Sequence, residues 1–189
     1  MQAPRYILLF AIPLIAVVVL VDQISKYSAI SNLCGFVDAG GIQSCARLEG
    51  MALIQANVFS TARLQTFLPI IDLDFHLNTN AALSLPIPGP WWFEYILLLT
   101  IMGVLAGWLW REGGRNNAIG VGLILGGALG NFFDRLVHGA VVDFFALHFG
   151  TLQLFIFNVA DAAITVGVVW LFIEQLYLKP RRQREAVVV

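Results

Sequence analysis

Charged residues are scarce in this chain of 189 residues. Asp, Glu, Lys and Arg together make up 12% of the sequence, whereas hydrophobic residues make up 59%. Soluble domains have about 25% charged residues, so the composition excludes an ordinary soluble domain and a disordered chain. The net charge of −1 also excludes a basic nucleic-acid-binding domain. The composition therefore indicates an integral membrane protein, and its length predicts a single domain over residues 1–189.

Residue types that bind metals are also rare. The sequence has two cysteines, Cys34 and Cys45, and three scattered histidines, His76, His138 and His148. It contains no HExxH or CxxC spacing, which argues against a zinc site. A GxSxG nucleophile elbow and a glycine-rich phosphate loop are missing as well. The sequence therefore implies neither a metal nor an organic cofactor.

Long apolar runs, in contrast, are abundant. A helix needs about 20 residues to cross the hydrocarbon core of a bilayer, and four runs approach that length. They predict membrane helices at about residues 6–27, 90–110, 116–135 and 152–176. The first run ends without a small-residue cleavage site, which favours a retained span over a signal peptide.

Basic residues predict the orientation of these helices. If all four helices span the membrane, seven of the eleven Lys and Arg residues fall on one side. These seven are Arg5, Arg111, Arg115, Lys179, Arg181, Arg182 and Arg184. The positive-inside rule then places both termini in the cytoplasm.

The two predicted outer connections differ in length. The longer one covers about residues 28–89, and within it residues 73–77 alternate apolar and polar side chains like a half-buried strand. We expect a small sheet here, with a turn at 78–80 and a second strand at 81–85. The stretch 31–65 gives no clear pattern, and we expect it to form a lid. The shorter connection covers about residues 137–151 and contains Asp143.

Glycines recur at helical spacing in the second and third predicted helices. They form GxxxG patterns, in which small residues allow close approach of membrane helices. The pattern occurs at Gly103 and Gly107, and again at Gly122, Gly126 and Gly130. We expect these glycines to serve helix packing and no chemistry.

Several polar residues lie near the predicted outer ends of the helices. Ionisable groups at membrane depth are costly and are usually functional. The helical residues of this set are Asp22, Lys26, Asn131, Asp134, Arg135, Asn158 and Asp161. Their spacing of three or four residues places neighbours on one helix face. Together with Asp143 they would form one polar pocket beneath the predicted sheet.

Most of these residues also have a structural interpretation. Asp22 with Lys26 fits an ion pair, which we favour for those two residues. Asp134 with Arg135 fits an anchored helix end, and Asn131 and Asn158 could form hydrogen bonds between helices.

Asp143 and Asp161 are harder to explain structurally. Each is flanked by apolar residues and has no basic residue within three positions. A lone buried charge is expensive, whereas two close carboxyl groups can share one proton. One carboxyl then acts as a base and the other as an acid, which suits the activation of water against an amide.

Five segments of the sequence resemble lipoprotein signal peptidase, the signal peptidase II family. They are Asp-Gln-Ile-Ser-Lys at 22–26, Asn-Thr-Asn-Ala-Ala at 78–82, Gly-Gly-Ala-Leu-Gly-Asn-Phe-Phe-Asp-Arg at 126–135, Val-Val-Asp-Phe at 141–144 and Phe-Asn-Val-Ala-Asp at 157–161. The resemblance covers roughly residues 6–30 and 66–178. It implies an all-α membrane protein with four transmembrane helices, a small periplasmic β-sheet cradle and a periplasmic lid segment.

The resemblance also implies a function. The family consists of aspartic endopeptidases of the bacterial inner membrane, which remove signal peptides from diacylglyceryl-modified prolipoproteins. Its catalytic pair falls on Asp143 and Asp161. Its supporting polar positions fall on Asp22, Lys26, Asn78, Asn131, Asp134, Arg135 and Asn158. The implied partners are prolipoproteins and membrane lipids, with no nucleic acid, and we expect a monomer with its site on the periplasmic side.

The sequence departs from the family in its outer region. Asn80 stands where the family has glycine, and the first outer loop is longer than usual and holds both cysteines. In an oxidising compartment a Cys34–Cys45 disulfide is favoured slightly over two free thiols. We expect such a disulfide to stiffen the lid without tying it to the helices. These departures suggest a divergent paralogue with a narrower substrate range.

Two other functions fit the sequence less well. One is a non-catalytic paralogue of the same fold that binds lipoprotein or lipid, but the intact aspartates argue against it. The other is a small transporter that relays protons through its aspartates. Four spans without inverted repeats make a transporter a weak alternative.

Overall fold

The computed structural model describes residues 3–38, 41–45, 59–60, 65–79, 91–150 and 152–180. Within these ranges four helices are long and apolar enough to cross a membrane, as predicted. The spans are Ile7–Asn32, Tyr95–Glu112, Arg115–His138 and Val159–Leu178. The α-helices that form them are α1 (Ile12–Asn32), α2 (Trp91–Glu112), α3 (Arg115–His138) and α4 (Val159–Ile173). A π-helical turn precedes α1 at Ile7–Ala11, and another follows α4 at Glu174–Leu178.

Seven strands form two antiparallel sheets outside the helices, among the residues described. The first sheet has the order β2-β1-β3, with β1 at Cys34–Asp38, β2 at Gly41–Ser44 and β3 at Phe59–Ser60. The second has the order β4-β5-β6-β7, with β4 at Gln65–Leu68, β5 at Ile71–Asn78, β6 at Val141–Phe149 and β7 at Leu152–Phe157. Strand β5 confirms the predicted strand at 73–77. The predicted strand at 81–85 lies outside the described residues.

The fourth helix begins later than predicted. The apolar residues 152–157 were assigned to the helix predicted at 152–176, but they form β7 instead, and α4 begins at Val159. A short continuous apolar run suits a strand as well as a helix, so hydropathy alone could not separate the two. Asn158 fixes the helix start, because its side chain accepts a hydrogen bond from the backbone N–H of Asp161. The structure also corrects the predicted position of Asp143, which was expected in the shorter outer connection but lies in strand β6.

The glycines of α3 allow close packing against α1. A Cβ atom at Gly122 would meet the backbone of Ala11, and one at Gly126 would meet Val18. This confirms the expected packing role for the α3 run. At Gly103 and Gly107 in α2 a Cβ atom would meet nothing within 4 Å among the described residues, so a packing role there stays a prediction.

A disulfide lies at the centre of the outer core. Cys34 and Cys45 are bonded to each other and are both buried. They pack in a cluster with Ala29, Ile30 and Leu33 from the end of α1, Phe75 from β5, and Val142 and Phe144 from β6. The expectation that the disulfide would leave this region untied from the helices is therefore wrong. The reason is that β1 begins two residues after α1 ends, so the first hairpin continues the helix.

We predict that the double substitution Cys34→Ala/Cys45→Ala lowers the thermal stability of the whole protein in detergent. Loss of a native disulfide typically costs about 2–4 kcal/mol, and here two buried side chains are also truncated. A thermal melt of the variant, compared with the wild type before and after reduction by dithiothreitol, measures the effect. Reduction of the wild type by dithiothreitol alone should reproduce part of the decrease in melting temperature. An unchanged melting temperature would show that the hairpin is independent of the helical body.

Candidate active site

Lys26 lies at the centre of a buried ionic cluster. Its Nζ is 2.8 Å from Asp22 Oδ2 and 2.9 Å from Asp134 Oδ2. The same atom donates a hydrogen bond of 2.8 Å to Asn131 Oδ1. An ammonium group has three N–H donors, so this cluster uses all of them. The arrangement joins α1 to α3 at the level of the polar residues.

The two acidic partners of Lys26 also hold the backbone. Asp22 Oδ1 accepts a hydrogen bond of 2.9 Å from the N–H of Ala160 at the start of α4. Asp134 Oδ2 accepts one of 3.0 Å from the N–H of Val142 in β6. Ala160 immediately precedes Asp161, and Val142 immediately precedes Asp143. The ionic cluster therefore fixes the chain directly before each of the two aspartates.

Asn158 links Asp143 and Asp161. Its Nδ2 donates a hydrogen bond of 2.7 Å to Asp143 Oδ1, and its Oδ1 accepts one of 2.9 Å from the backbone N–H of Asp161. Asp161 Oδ2 in turn accepts from the N–H of Asn158, which completes a capping box at the start of α4. Asn158, the single residue between β7 and α4, thus connects both carboxyl groups.

Two further amides complete the site. Asn78 Nδ2 in β5 donates to Asp143 Oδ2 at 3.1 Å, and Asn131 Nδ2 in α3 donates to Asp161 Oδ1 at 2.8 Å. Both oxygens of Asp143 therefore accept from amides, although its side chain has almost no contact with solvent. The structure brings these predicted residues into one continuous network.

Asp143 has an unusual electrostatic environment. Burial raises the pKa of its carboxyl, the negative charge of Asp161 raises it further, and the hydrogen bonds from Asn78 and Asn158 lower it. The combined effect raises the pKa of Asp143 to about 7. Strongly raised carboxyl pKa values are found at acid–base sites. Asp143 can therefore carry a proton near neutral pH.

The remaining predicted residues lie at the edge of this network or beyond it. Arg135 Nη1 donates to the carbonyl of Asn131 in its own helix. Asp134, which was expected with Arg135 to anchor the helix end, binds Lys26 and the N–H of Val142 instead. Asn80, which differs from the family pattern, lies outside the described residues. Gln23, which was not among the predicted site residues, also joins the network, because its Nε2 donates to Asp134 Oδ1 at 2.9 Å. Gln23 precedes Lys26 by three residues, so helical spacing was the available signal.

No group of three or more His, Cys, Asp and Glu side chains is placed to hold a metal ion in the described part of the chain.

Comparisons with known proteins identify relatives of this chain. The family model described as Signal peptidase (SPase) II matches residues 14–177. A lipoprotein signal peptidase of Methylorubrum extorquens is 47% identical over 93 residues, which are 49% of this chain and 54% of that protein. One of Shouchella clausii is 39% identical over 135 residues, which are 68% of this chain and 86% of that protein.

The extent of these matches varies. This chain spans about half the length of the Methylorubrum protein and 65% of a lipoprotein signal peptidase of Beijerinckia indica. Two solved structures, described as a bacterial membrane enzyme, are each 25% identical and cover 88% of this chain. Their TM-scores are 0.63 and 0.61, and the matches cover 87% and 92% of those chains.

We predict that Asp22→Ala destabilises the protein strongly. The substitution removes one counter-charge of the buried Lys26 and the acceptor of the Ala160 N–H. Breaking one partner of a buried ion pair costs about 3–5 kcal/mol. Asp22→Asn is the matched control, because its carbonyl can still accept from Ala160, and it should lose less. A thermal melt in detergent measures both. An unchanged melting temperature together with lost cleavage would place Asp22 in the chemistry.

We predict that Asp143→Asn gains stability over the wild type as the pH rises from about 4 to about 7. The pKa of the carboxyl in the unfolded chain is near the ordinary value of 3.8, whereas burial and the charge of Asp161 raise it to about 7 in the folded protein. Between these values the folded wild type keeps a proton that the unfolded chain has lost, so its stability falls as pH increases. The Asn side chain has no such dependence. Melting temperatures of the wild type and of Asp143→Asn at pH 5 and pH 8 test this prediction. If the two proteins differ in melting temperature by the same amount at both pH values, the prediction is contradicted.

Proposed function

The chain belongs to the signal peptidase II family, and we propose that it is an aspartic endopeptidase that removes signal peptides from lipid-modified prolipoproteins. The observation that carries this proposal is the connection of Asp143 and Asp161 through Asn158. Each carboxyl group comes from a different element, and amides hold both in place. This arrangement has the two groups that general acid–base hydrolysis of an amide requires.

In the proposed mechanism the two carboxyl groups have different roles. Asp161 lies in the first turn of α4, where the helix dipole favours negative charge, and it acts as the base. It takes a proton from water as the water oxygen attacks the scissile carbonyl carbon. Asp143 begins protonated, as its raised pKa allows, and gives its proton to the leaving amide nitrogen. The pair then holds one proton again, on the other carboxyl.

The supporting residues would hold this geometry through the reaction. Asn78 and Asn158 fix the two oxygens of Asp143, and Asn131 fixes Asp161. Because these amides also connect β5, α3 and α4, a shift of any one element would change the separation of the carboxyl groups. All three N–H donors of Lys26 already have acceptors within the protein, so Lys26 would not bind the substrate.

We further propose that the protein acts as a monomer in the bacterial inner membrane, with both termini in the cytoplasm and the site on the periplasmic side. The distribution of basic residues supports this orientation. Large apolar side chains such as Val104 in α2 and Phe172 in α4 are exposed, which suits contact with lipid. A lipid-modified substrate can then reach the site without leaving the bilayer.

We predict that Asp143→Asn and Asp161→Asn each abolish cleavage of a lipidated prolipoprotein. A pair fails when either carboxyl can no longer exchange a proton, and the expected loss is at least about 10²–10⁴-fold. The measurement is the mobility shift of the prolipoprotein on a gel after incubation with purified protein in detergent. Asp74→Asn, in the neighbouring strand β5, is the control and should retain activity.

Turnover within a few-fold of the wild type for either variant would contradict the aspartic mechanism. Binding of the prolipoprotein by the wild type without any cleavage would favour the non-catalytic alternative. No feature of the site and no comparison supports that alternative.

A further inference from the structure

Val142, the residue before Asp143 in β6, is held at its N–H, its carbonyl and its side chain. Its N–H donates to Asp134 Oδ2 at 3.0 Å, and its carbonyl accepts a hydrogen bond of 3.3 Å from Asn158 Nδ2. Its side chain is 0% exposed and belongs to the outer core around the disulfide. Because the peptide unit that joins Val142 to Asp143 is planar, the position of Val142 determines where the Asp143 side chain begins.

The two faces of β6 have different surroundings at this point. Successive side chains of a strand point to opposite faces of the sheet. Val142 and Phe144 point into the outer core, so Asp143 points to the other face, where Asn78 and Asn158 donate to its carboxyl group. The outer core therefore packs directly behind the strand segment that carries Asp143.

The outer core also packs beside both amides that bind Asp143. Leu77, which precedes Asn78, and Val159, which follows Asn158, are partly buried against it. Each of these two donors is thus next in sequence to a side chain of the same apolar cluster. A change in the packing of this cluster would displace the Asp143 carboxyl and its donors together.

The disulfide closes the other side of the outer core. Cys34 begins β1 and Cys45 directly follows β2, so their bond fastens the two ends of the first hairpin to each other. This hairpin contacts α1, and α1 also contacts β6. Without the bond the two ends of the hairpin could separate, and the side chains packed between the hairpin and β6 would lose one fixed boundary.

We propose that the Cys34–Cys45 disulfide is a positioning element for Asp143 and acts through the side chain of Val142. The bond fixes the packing behind β6, this packing fixes Val142, and Val142 fixes the backbone that carries the carboxyl group. The inference rests on the proposed function, because cleavage is what makes the position of Asp143 important. A misplacement of about 1 Å, caused by a substitution far from the chemistry, can cost about 10²-fold in rate.

Two destabilised variants separate positioning from general stability. Cys34→Ala/Cys45→Ala removes the bond, whereas Leu109→Ala truncates a buried residue of a separate apolar cluster, which includes Ala118, Val121 and Leu125. Both are assayed on a lipidated prolipoprotein at a temperature where thermal melts show them fully folded. The disulfide variant should lose about 10- to 100-fold in kcat, with its KM within about twofold of the wild type. Leu109→Ala should keep the wild-type kcat, and equal kcat values for the two variants would overturn the proposal.

Val142→Ala tests the route from the disulfide to Asp143. It keeps the bond, so it applies even if removal of both cysteines prevents folding. Alone it should lower kcat with little change in KM, as the disulfide variant does. In the triple variant Cys34→Ala/Cys45→Ala/Val142→Ala the total loss should be smaller than the product of the separate losses, because both changes remove the same connection. An unchanged kcat for Val142→Ala, or losses that simply multiply, would overturn the proposal.

A third measurement does not depend on cleavage. The N–H of Val142 is bonded to Asp134, so its hydrogen exchange with solvent reports whether this part of β6 opens. Exchange at Val142 should be faster in the disulfide variant than in Leu109→Ala, and equal rates in these two variants would overturn the proposal. Faster exchange in the disulfide variant, together with a wild type that cleaves nothing, would overturn only the proposed function.

Discussion

The buried ammonium group of Lys26 is the interaction on which the rest of this site depends. A lone charge at membrane depth is costly, so each of its three N–H donors must find an acceptor. Asp22, Asp134 and Asn131 supply these acceptors, and they come from two different helices. The carboxylates have further lone pairs, which accept backbone N–H groups from α4 and β6. One buried charge thus fixes the relative positions of four separate elements, α1, α3, α4 and β6.

Close packing of backbones is what makes these contacts possible. A short side chain such as Asp22 reaches α4 only if the helices around it approach closely. Gly130 in α3 leaves the space that the Asp22 carboxylate occupies, and Gly127 leaves space for the carbonyl of Ala160. A larger residue at either position would push apart the helices that the ionic cluster holds together. Small residues and buried charges therefore depend on each other here.

The sequence predicted the helices and most polar members of the site, because both produce strong signals. Apolar runs of membrane length are unambiguous, and the energetic cost of Asp143 and Asp161 at apolar positions marked them for a role. Strands β6 and β7 could not be predicted in this way. The residues of β7 form a short apolar run that hydropathy assigns equally to a helix, and those of β6 fall in the predicted shorter connection. Long-range contacts such as the packing of the disulfide on Val142 leave no local pattern at all.

Asp143 lies in a strand and Asp161 in a helix, and this difference has a chemical consequence. Asp161 follows the N-cap residue Asn158 at the start of α4, where the N–H of Asn158 and the helix dipole stabilise negative charge. Asp143 lies in a buried strand, where the N–H of the preceding Val142 is bonded to Asp134 and burial favours the protonated form of Asp143. The fold therefore makes the pair asymmetric before any substrate binds. Near neutral pH a proton is therefore held by the strand carboxyl of Asp143, because burial and the negative charge of Asp161 favour its protonated form.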